Sequence, residues 1–352
     1  GVDFSVLQNR INLTADTYRR LSDGQIMKAT VPLETGEGSI TTNIGAVRNT
    51  GIELGLNLGV IRNKNFTWDV NLAFARNWSK ITELPNGDDV SNNWFIGERL
   101  NVLRDYTSAG IITTDGITMR TKDGDRHYTL QEVYDTFGPG GQGLKWYEGQ
   151  MAVNDWNNDG KINDEDKQIF GCTDPKWTGS LSSTMTYKGF DFSFMLYTKQ
   201  GQWSRSYFHE QYMNYGDRGR QKVNFDYYIP AGTPVLDKNT GDVTYLSEAH
   251  IGKYPYPNNT EKTGGGYFSS SSAAVRYHKT SFVKVKNITL GYTFPKAWLS
   301  KIAVKHLRLY VNVINPFCFT DYEGFDPEWA SANLTNGGPA SVTYQIGANI
   351  KF

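Results

Sequence analysis

The sequence predicts an all-β protein, a membrane-spanning antiparallel β-barrel with long extracellular loops, on three observations. The first is the final stretch, 341–352 (SVTYQIGANIKF). There Val342, Tyr344, Ile346, Ala348, Ile350 and Phe352 alternate with Ser341, Thr343, Gln345, Gly347, Asn349 and Lys351. Side chains alternate across a strand, so one face is apolar to its aromatic end and the other is polar. At about 3.3 Å per residue, such a segment crosses a hydrocarbon layer about 25–30 Å thick with the usual tilt. The second observation is that short and long connectors alternate through nine such strands. Two of them, 77–176 and 204–279, are far longer than the connections of compact soluble domains, whereas outer-membrane barrels pair short periplasmic turns with long extracellular loops. Third, the apolar positions are opposed by Gly, Asn, Asp, Glu and Thr, which suits lipid on one side and a wet interior on the other.

Taken in order, 2–8 reads as a strand and Asn9-Arg10 as a tight turn. Ile11, Leu13 and Ala15 then alternate with Asn12, Thr14 and Asp16. The polar, Gly-rich 21–48 reads as a loop. Ile52, Leu54, Leu56, Leu58 and Val60 mark one face of the next strand, and Arg62-Asn63-Lys64-Asn65 leads into Phe66, Trp68, Val70, Leu72 and Phe74. After the long segment 77–176 come strands 177–187 and 190–203, joined by Lys188-Gly189. Strand patterns return at 281–294, 307–319 and 341–352, with a break at Pro295 and a connector up to His306 that fits a short helical turn. With a periplasmic C-terminus, every short turn is periplasmic. Nine strands leave two unpaired edges, which lipid does not tolerate, so an odd number of further strands is expected upstream.

Composition narrows the function. Lys+Arg and Asp+Glu are 36 each, so bulk charge gives no case for nucleic acid or an anionic surface. Aromatic residues make up 14 %, with 21 Tyr and 9 Trp, a richness that suits interfacial girdles or sugar-stacking surfaces. Mean hydropathy is −0.51, and no apolar run approaches the length of a membrane helix. Cys172 and Cys318 make no disulfide framework. His127, His209, His250, His278 and His306 show no ligand spacing, and no Ser or Cys sits in a nucleophile elbow, so no catalytic residue is named.

The sharpest motif is 155–166 (DWNNDGKINDED). Asp155, Asn157 and Asp159 at loop positions 1, 3 and 5, Gly160 at 6, the Lys161 carbonyl at 7 and Asp166 at 12 have EF-hand spacing. The expected ion is Ca²⁺, with Mg²⁺ or a metal-free polar turn as alternatives, and Ile162 at position 8 is expected to anchor the loop. For substrate, Trp203, Arg205 and Tyr207 continue the interior-facing parity at the extracellular end of their strand, Tyr212 and Tyr215 follow, and Trp94 lies in another outer loop. Aromatic rings there suit sugar stacking, against the plainer reading of girdle or loop core. Glu53, Asp69, Asn71, Asp191, Arg308 and Asn312 face the interior, as contacts to a plug or as an ordinary solvated face.

Several stretches resemble SusC/RagA-type TonB-dependent transporters of Bacteroidetes. These are 281–295 (SFVKVKNITLGYTFP), 43–51 (NIGAVRNTG) followed by Ile52-Glu53, the 155–166 loop, 178–192 (TGSLSSTMTYKGFDF), 321–328 (DYEGFDPE) and the final aromatic, in family order. The resemblance implies a barrel of about 22 strands, of which these are the last nine, preceded by a plug that is absent here. It further implies a SusD-like lipoprotein lid, coupling through TonB–ExbB–ExbD, and outer-membrane import of oligosaccharides or, less often, peptides. The competing readings are a passive porin or a secretion or adhesion protein of the same membrane, and a secreted soluble β-protein with a calcium loop.

Overall fold

The computed structural model describes residues 1–30, 39–138, 143–212, 226–237, 239–256, 276–300, 304–331 and 340–352. Its main element is a nine-stranded sheet: β1 (Val2–Val6), β2 (Ile11–Thr30), β3 (Ser39–Arg62), β4 (Phe66–Glu83), β5 (Trp177–Tyr187), β6 (Phe190–Gln200), β7 (Phe282–Thr293), β8 (His306–Phe319) and β9 (Thr343–Lys351). Every strand lies antiparallel beside its neighbours in sequence, in the order β1 to β9.

The expectation of a membrane-spanning barrel is corrected. β1 pairs with β2 and β9 with β8, no register joins β9 to β1, and no sheet among the described residues is closed into a barrel. Closure requires the first and last strands to share a ladder at a fixed stagger. These two strands lie at opposite edges of an open sheet. A second correction concerns 21–48, read as a loop. β2 runs on to Thr30 and β3 begins at Ser39, paired through register shifts between Ser22 and Ile26. Both sides of that extension carry polar residues, so hydrophobic alternation gives no signal for it, while the backbone ladder forms regardless.

Each short turn has a local cause. Leu7, Gln8 and Asn9 all have positive φ, closing β1 onto β2. Asn63 Oδ1 accepts from the amides of Asn65 (3.1 Å) and Phe66 (2.8 Å) before β4. Lys188 and Gly189 have φ of 47° and 93°, the two left-handed positions of a two-residue hairpin. In β8, Asn315 (φ 53°) and Pro316, which lacks an N–H, coincide with the register shift opposite Val285 and Asn287.

The sheet is two-faced over its whole width. One row runs Trp68, Met185, Phe192, Leu290, Val311, Ile346 across β4 to β9; the adjacent row runs Asp69, Thr184, Ser193, Thr289, Asn312, Gln345. The apolar face is bare: Leu54, Leu72, Phe190, Leu290, Val311 and Phe352 are all exposed, and Ile346 is 87 % exposed. On the polar face, side chains bond across strands. Thr289 Oγ1 donates to Asn312 Oδ1 (2.9 Å) and Asn312 Nδ2 to Gln345 Oε1 (3.0 Å). Gly347 lets the Tyr310 ring lie flat on the next strand, where a methyl would run into the ring.

The segment 77–176 is folded. It holds small two-stranded sheets and helix α1 (Leu130–Phe137), started by a capping box in which Thr129 and Glu132 bond reciprocally. Ile112, Met119, Tyr128, Val133, Tyr147 and Ala152, all essentially inaccessible, form its core. Among the described residues no helix is long and apolar enough to cross a membrane.

Candidate functional site

Beyond the loop end of β6 and β7 the two segments pair once more, with Trp203 opposite Lys279, Ser204 opposite His278 and Arg205 opposite Tyr277. The kink between the two ladders is made by Gly201 at φ +78° and held by side chains. Thr198 Oγ1 and Gln200 Nε2 donate to the Phe282 carbonyl (2.6 and 3.0 Å), and Gln202 Nε2 donates to that of Thr280 (3.0 Å). This ladder forms one wall of a cavity of about 460 Å³. Trp203, Tyr277 and Phe170 supply rings to it, joined by Tyr106, Tyr254 and Tyr322, with Lys253, Lys279, His278 and Asp321 as its charged or titratable lining. Phe170 meets Trp203 and Tyr277 with ring centroids 5.4 Å away in each case, and Gly171 lies so close under Trp203 that a Cβ would stand 2.7 Å from the ring.

A buried polar cluster fixes the cavity's far side. Ser206 Oγ lies 2.6 Å from His209 Nδ1 and 2.5 Å from the Tyr322 hydroxyl, and His209 Nε2 lies 3.2 Å from the Tyr254 hydroxyl. Tyr254 donates in turn to Glu323, which also pairs with Lys253 at 2.7 Å. The rings of His209 and His278 stack at 3.6 Å. Ser206 is wholly buried, so this Ser–His contact ties loops together and presents no nucleophile. Burial, helped by His278 and Lys253, pushes His209 down from 6.5 to about 2. The unfolded chain takes up this proton below about 6.5 and the folded chain does not until about 2. The cluster's contribution to stability is therefore full above 6.5 and is lost progressively as pH falls toward 2. Amide exchange in helix α2 (Tyr207–Tyr212), corrected for intrinsic rates, is expected to quicken on mild acidification; unchanged protection would contradict the assignment.

A third arrangement pins the last loop to the sheet. Lys284 of β7, 2 % exposed, donates to both Asp326 oxygens (2.9 Å each) and to Glu328 Oε2 (2.5 Å), and Lys286 reaches Glu328 Oε2 at 2.8 Å. Sequence reasoning missed both clusters. The Lys-Val-Lys of 284–286 and the acidic 326–328 are each visible, but nothing local joins them.

Of the residues named from sequence as substrate contacts, Trp203 alone lines the cavity among the described residues. Arg205 is exposed with its guanidinium 5.4 Å from the ring of Tyr207, which begins α2, and Tyr212 ends that helix. Tyr215 lies outside the described residues. Trp94 sits elsewhere, packed against Val47, Ile81 and Leu84. On the polar face Asp191 takes a two-pronged ion pair from Arg308 (2.9 and 2.5 Å), Asp69 pairs with Arg62 (3.2 Å), Asn71 donates to Ser182 Oγ (3.3 Å), and Glu53 lines a shallow hollow beside Asp16. Cys172 and Cys318 are both free thiols.

In the 155–166 loop, Asp155 and Asp166 are completely buried. Asp155 accepts from the amides of Asp159 (3.2 Å) and Gly160 (2.9 Å), and Asp166 from those of Trp156 (2.8 Å), Asn157 (3.3 Å) and Asn163 (2.8 Å). Asn157 Oδ1 and Asp159 Oδ1 accept from the amides of Asp159 and Lys161. Gly160 has φ +76°, and Ile162 packs against the core around Met119 and Tyr128. Burial, with Asp155 nearby, raises the Asp166 carboxyl above its ordinary value despite its three amide donors. Among the described residues no three His, Cys, Asp or Glu side chains are grouped to hold a metal.

No family model matches the chain. It is 28 % identical to the TonB-dependent receptor P39 of Formosa agariphila and 29 % identical to the TonB-dependent receptor SusC of Bacteroides thetaiotaomicron, over all of this chain and 35 % and 31 % of theirs. The chain is distantly homologous to TonB-dependent receptors. It spans about a third of the length of these relatives. In fold it is similar to a solved RagAB peptide transporter, with a TM-score of 0.66 at 19 % identity over 99 % of this chain and 34 % of that one. The RagAB peptide importer in its 'open-open' state gives 0.65 at 20 %, over 99 % of this chain and 33 % of that one.

Proposed function

We propose that this chain belongs to a TonB-dependent importer of the Gram-negative outer membrane that takes up nutrient oligosaccharides, or less often peptides, and catalyses no covalent chemistry. The carrying observation is the bare apolar face across nine strands, backed by a hydrogen-bonded polar face. In water that much exposed Leu, Ile and Phe is unfavourable, whereas against lipid it is the low-energy arrangement. In this reading the cavity and loops meet the substrate outside, a SusD-like lipoprotein covers them, and TonB–ExbB–ExbD supplies energy from the proton-motive force. Distant homology to TonB-dependent receptors supports the reading. The test is a gene deletion in the native bacterium. Uptake of one nutrient glycan or peptide class should disappear both on deletion and on collapse of the proton-motive force, with the protein in the detergent-extracted outer membrane. Uptake that survives loss of the proton-motive force would mean a passive pore, and recovery without detergent would mean a soluble protein.

The 155–166 loop, in the same reading, takes one calcium ion. Two wholly buried carboxylates, Asp155 and Asp166, are costly without a cation, and Asn157, Asp159 and the Lys161 carbonyl complete the donor spacing. The ion would stiffen the outer segment that it joins through Ile162. Chelation with EDTA is expected to speed protease cleavage near residue 155, and added calcium to reverse it. Cleavage indifferent to both would rule the ion out.

A further inference from the structure

We infer that the aromatic cavity beside the Trp203–Lys279 ladder is a subsite for one pyranose unit of a neutral oligosaccharide. The inference rests on the importer reading and makes its ligand specific. The volume of about 460 Å³ falls within the range of about 300–1,000 Å³ usual for small-molecule sites. Its wall is assembled from segments distant in sequence: Phe170, Trp203, Tyr254, Tyr277 and Tyr322 come from the outer segments between β4 and β5, β6 and β7, and β8 and β9. Such convergence gives several rings that an apolar sugar face can cover.

The polar groups decide the ligand class. Lys253 is neutralised by Glu323 at 2.7 Å. Lys279 and Asp321 are exposed, of opposite sign, and in no ion pair among the described residues. The lining thus has no excess of one charge to hold an anionic or cationic ligand. It offers a donor in Lys279, an acceptor in Asp321 and the Thr107 hydroxyl, which accepts from Asn154 Nδ2 and keeps its own hydrogen to donate; these match the outward hydroxyls of a sugar whose face lies on a ring. A peptide is held by main-chain bonds to a strand edge or, when proline-rich, by an aromatic groove, and the peptide probe in the experiment separates that occupant from a sugar. Trp203 is also held in place: Gly171 beneath it and Phe170 at 5.4 Å leave its ring one seat, and the Lys279 ammonium stands 5.6 Å from its centroid.

The experiment uses the full-length protein in detergent, with unbranched glucan, xylan and mannan oligosaccharides and a tryptic peptide mixture as probes, read by calorimetry. At least one glycan is expected to bind. Trp203→Ala should weaken it about tenfold or more, Trp203→Phe should keep most of the affinity, and Trp298→Ala, exposed in the short connector after β7 and outside the cavity lining, should change nothing. Gly171→Val, which displaces the Trp203 ring without removing it, should also weaken binding. Glycan affinity untouched by Trp203→Ala, binding of peptides alone, or binding of none of the glycans overturns the inference. Energy-dependent uptake that persists in the Trp203→Ala strain would reject the subsite and leave the importer reading standing, while uptake independent of the proton-motive force would reject the importer instead.

Discussion

Lys284→Met is expected to destabilise the protein by about 3–5 kcal/mol, the usual cost of leaving a buried charge without its partner. The lysine is 2 % exposed and Asp326 is 7 % exposed. Removing the ammonium strands a carboxylate that water cannot reach, while Glu328 keeps Lys286. The loss should appear as a lower unfolding temperature in detergent and as new protease cleavage around 320–331, because this ion cluster is what fastens that loop to β7. The double variant Lys284→Met with Asp326→Leu should recover most of the loss, since an apolar pair of similar volume avoids the desolvation that the ions suffer. A single variant as stable as the parent would show that the cluster is not buried in solution.

Leu72→Arg and Asn71→Arg should behave oppositely although they are adjacent. Leu72 lies on the bare apolar face of β4, and Asn71 on the polar face beside Ser182. Against lipid, an arginine near the middle of the hydrocarbon layer costs about 2–4 kcal/mol, so Leu72→Arg should sharply reduce the amount of protein in the membrane. Asn71→Arg, on the wetted face, should leave it nearly unchanged. Were the apolar face open to water, Leu72→Arg would be harmless, and equal amounts of both variants would refute the membrane reading.

Much of the strand pattern was legible because one physical variable wrote it. Where a strand separates an apolar phase from a polar one, residues must alternate, as at 52–60 and 341–352, and the turn at Lys188-Gly189 announces itself because its backbone needs left-handed residues. The pattern failed at 21–48. There β2 and β3 run on with polar residues on both sides, so the ladder forms without leaving a hydrophobic signature. It failed also for 77–176, whose core around Met119, Tyr128 and Tyr147 is built from short pieces that carry no sustained period. For the site, Trp203 and the 155–166 motif could be picked out because parity or spacing is local. Phe170 and Tyr277 could not, because nothing in their own neighbourhoods marks them, and the 321–328 motif that holds Tyr322 gives no sign of where its ring lies.

By itself, then, the sequence determined the two-faced strands, their order and the short turns between them, since each depends on neighbours a few residues away. Only the tertiary structure decided that β2 runs on to Thr30 and pairs with β3 from Ser39. It alone decided that Lys284 meets Asp326, and that rings from distant segments close one cavity beside Trp203. Those outcomes depend on which segments the ladders bring within a few ångströms of each other, a quantity that no single stretch of chain encodes.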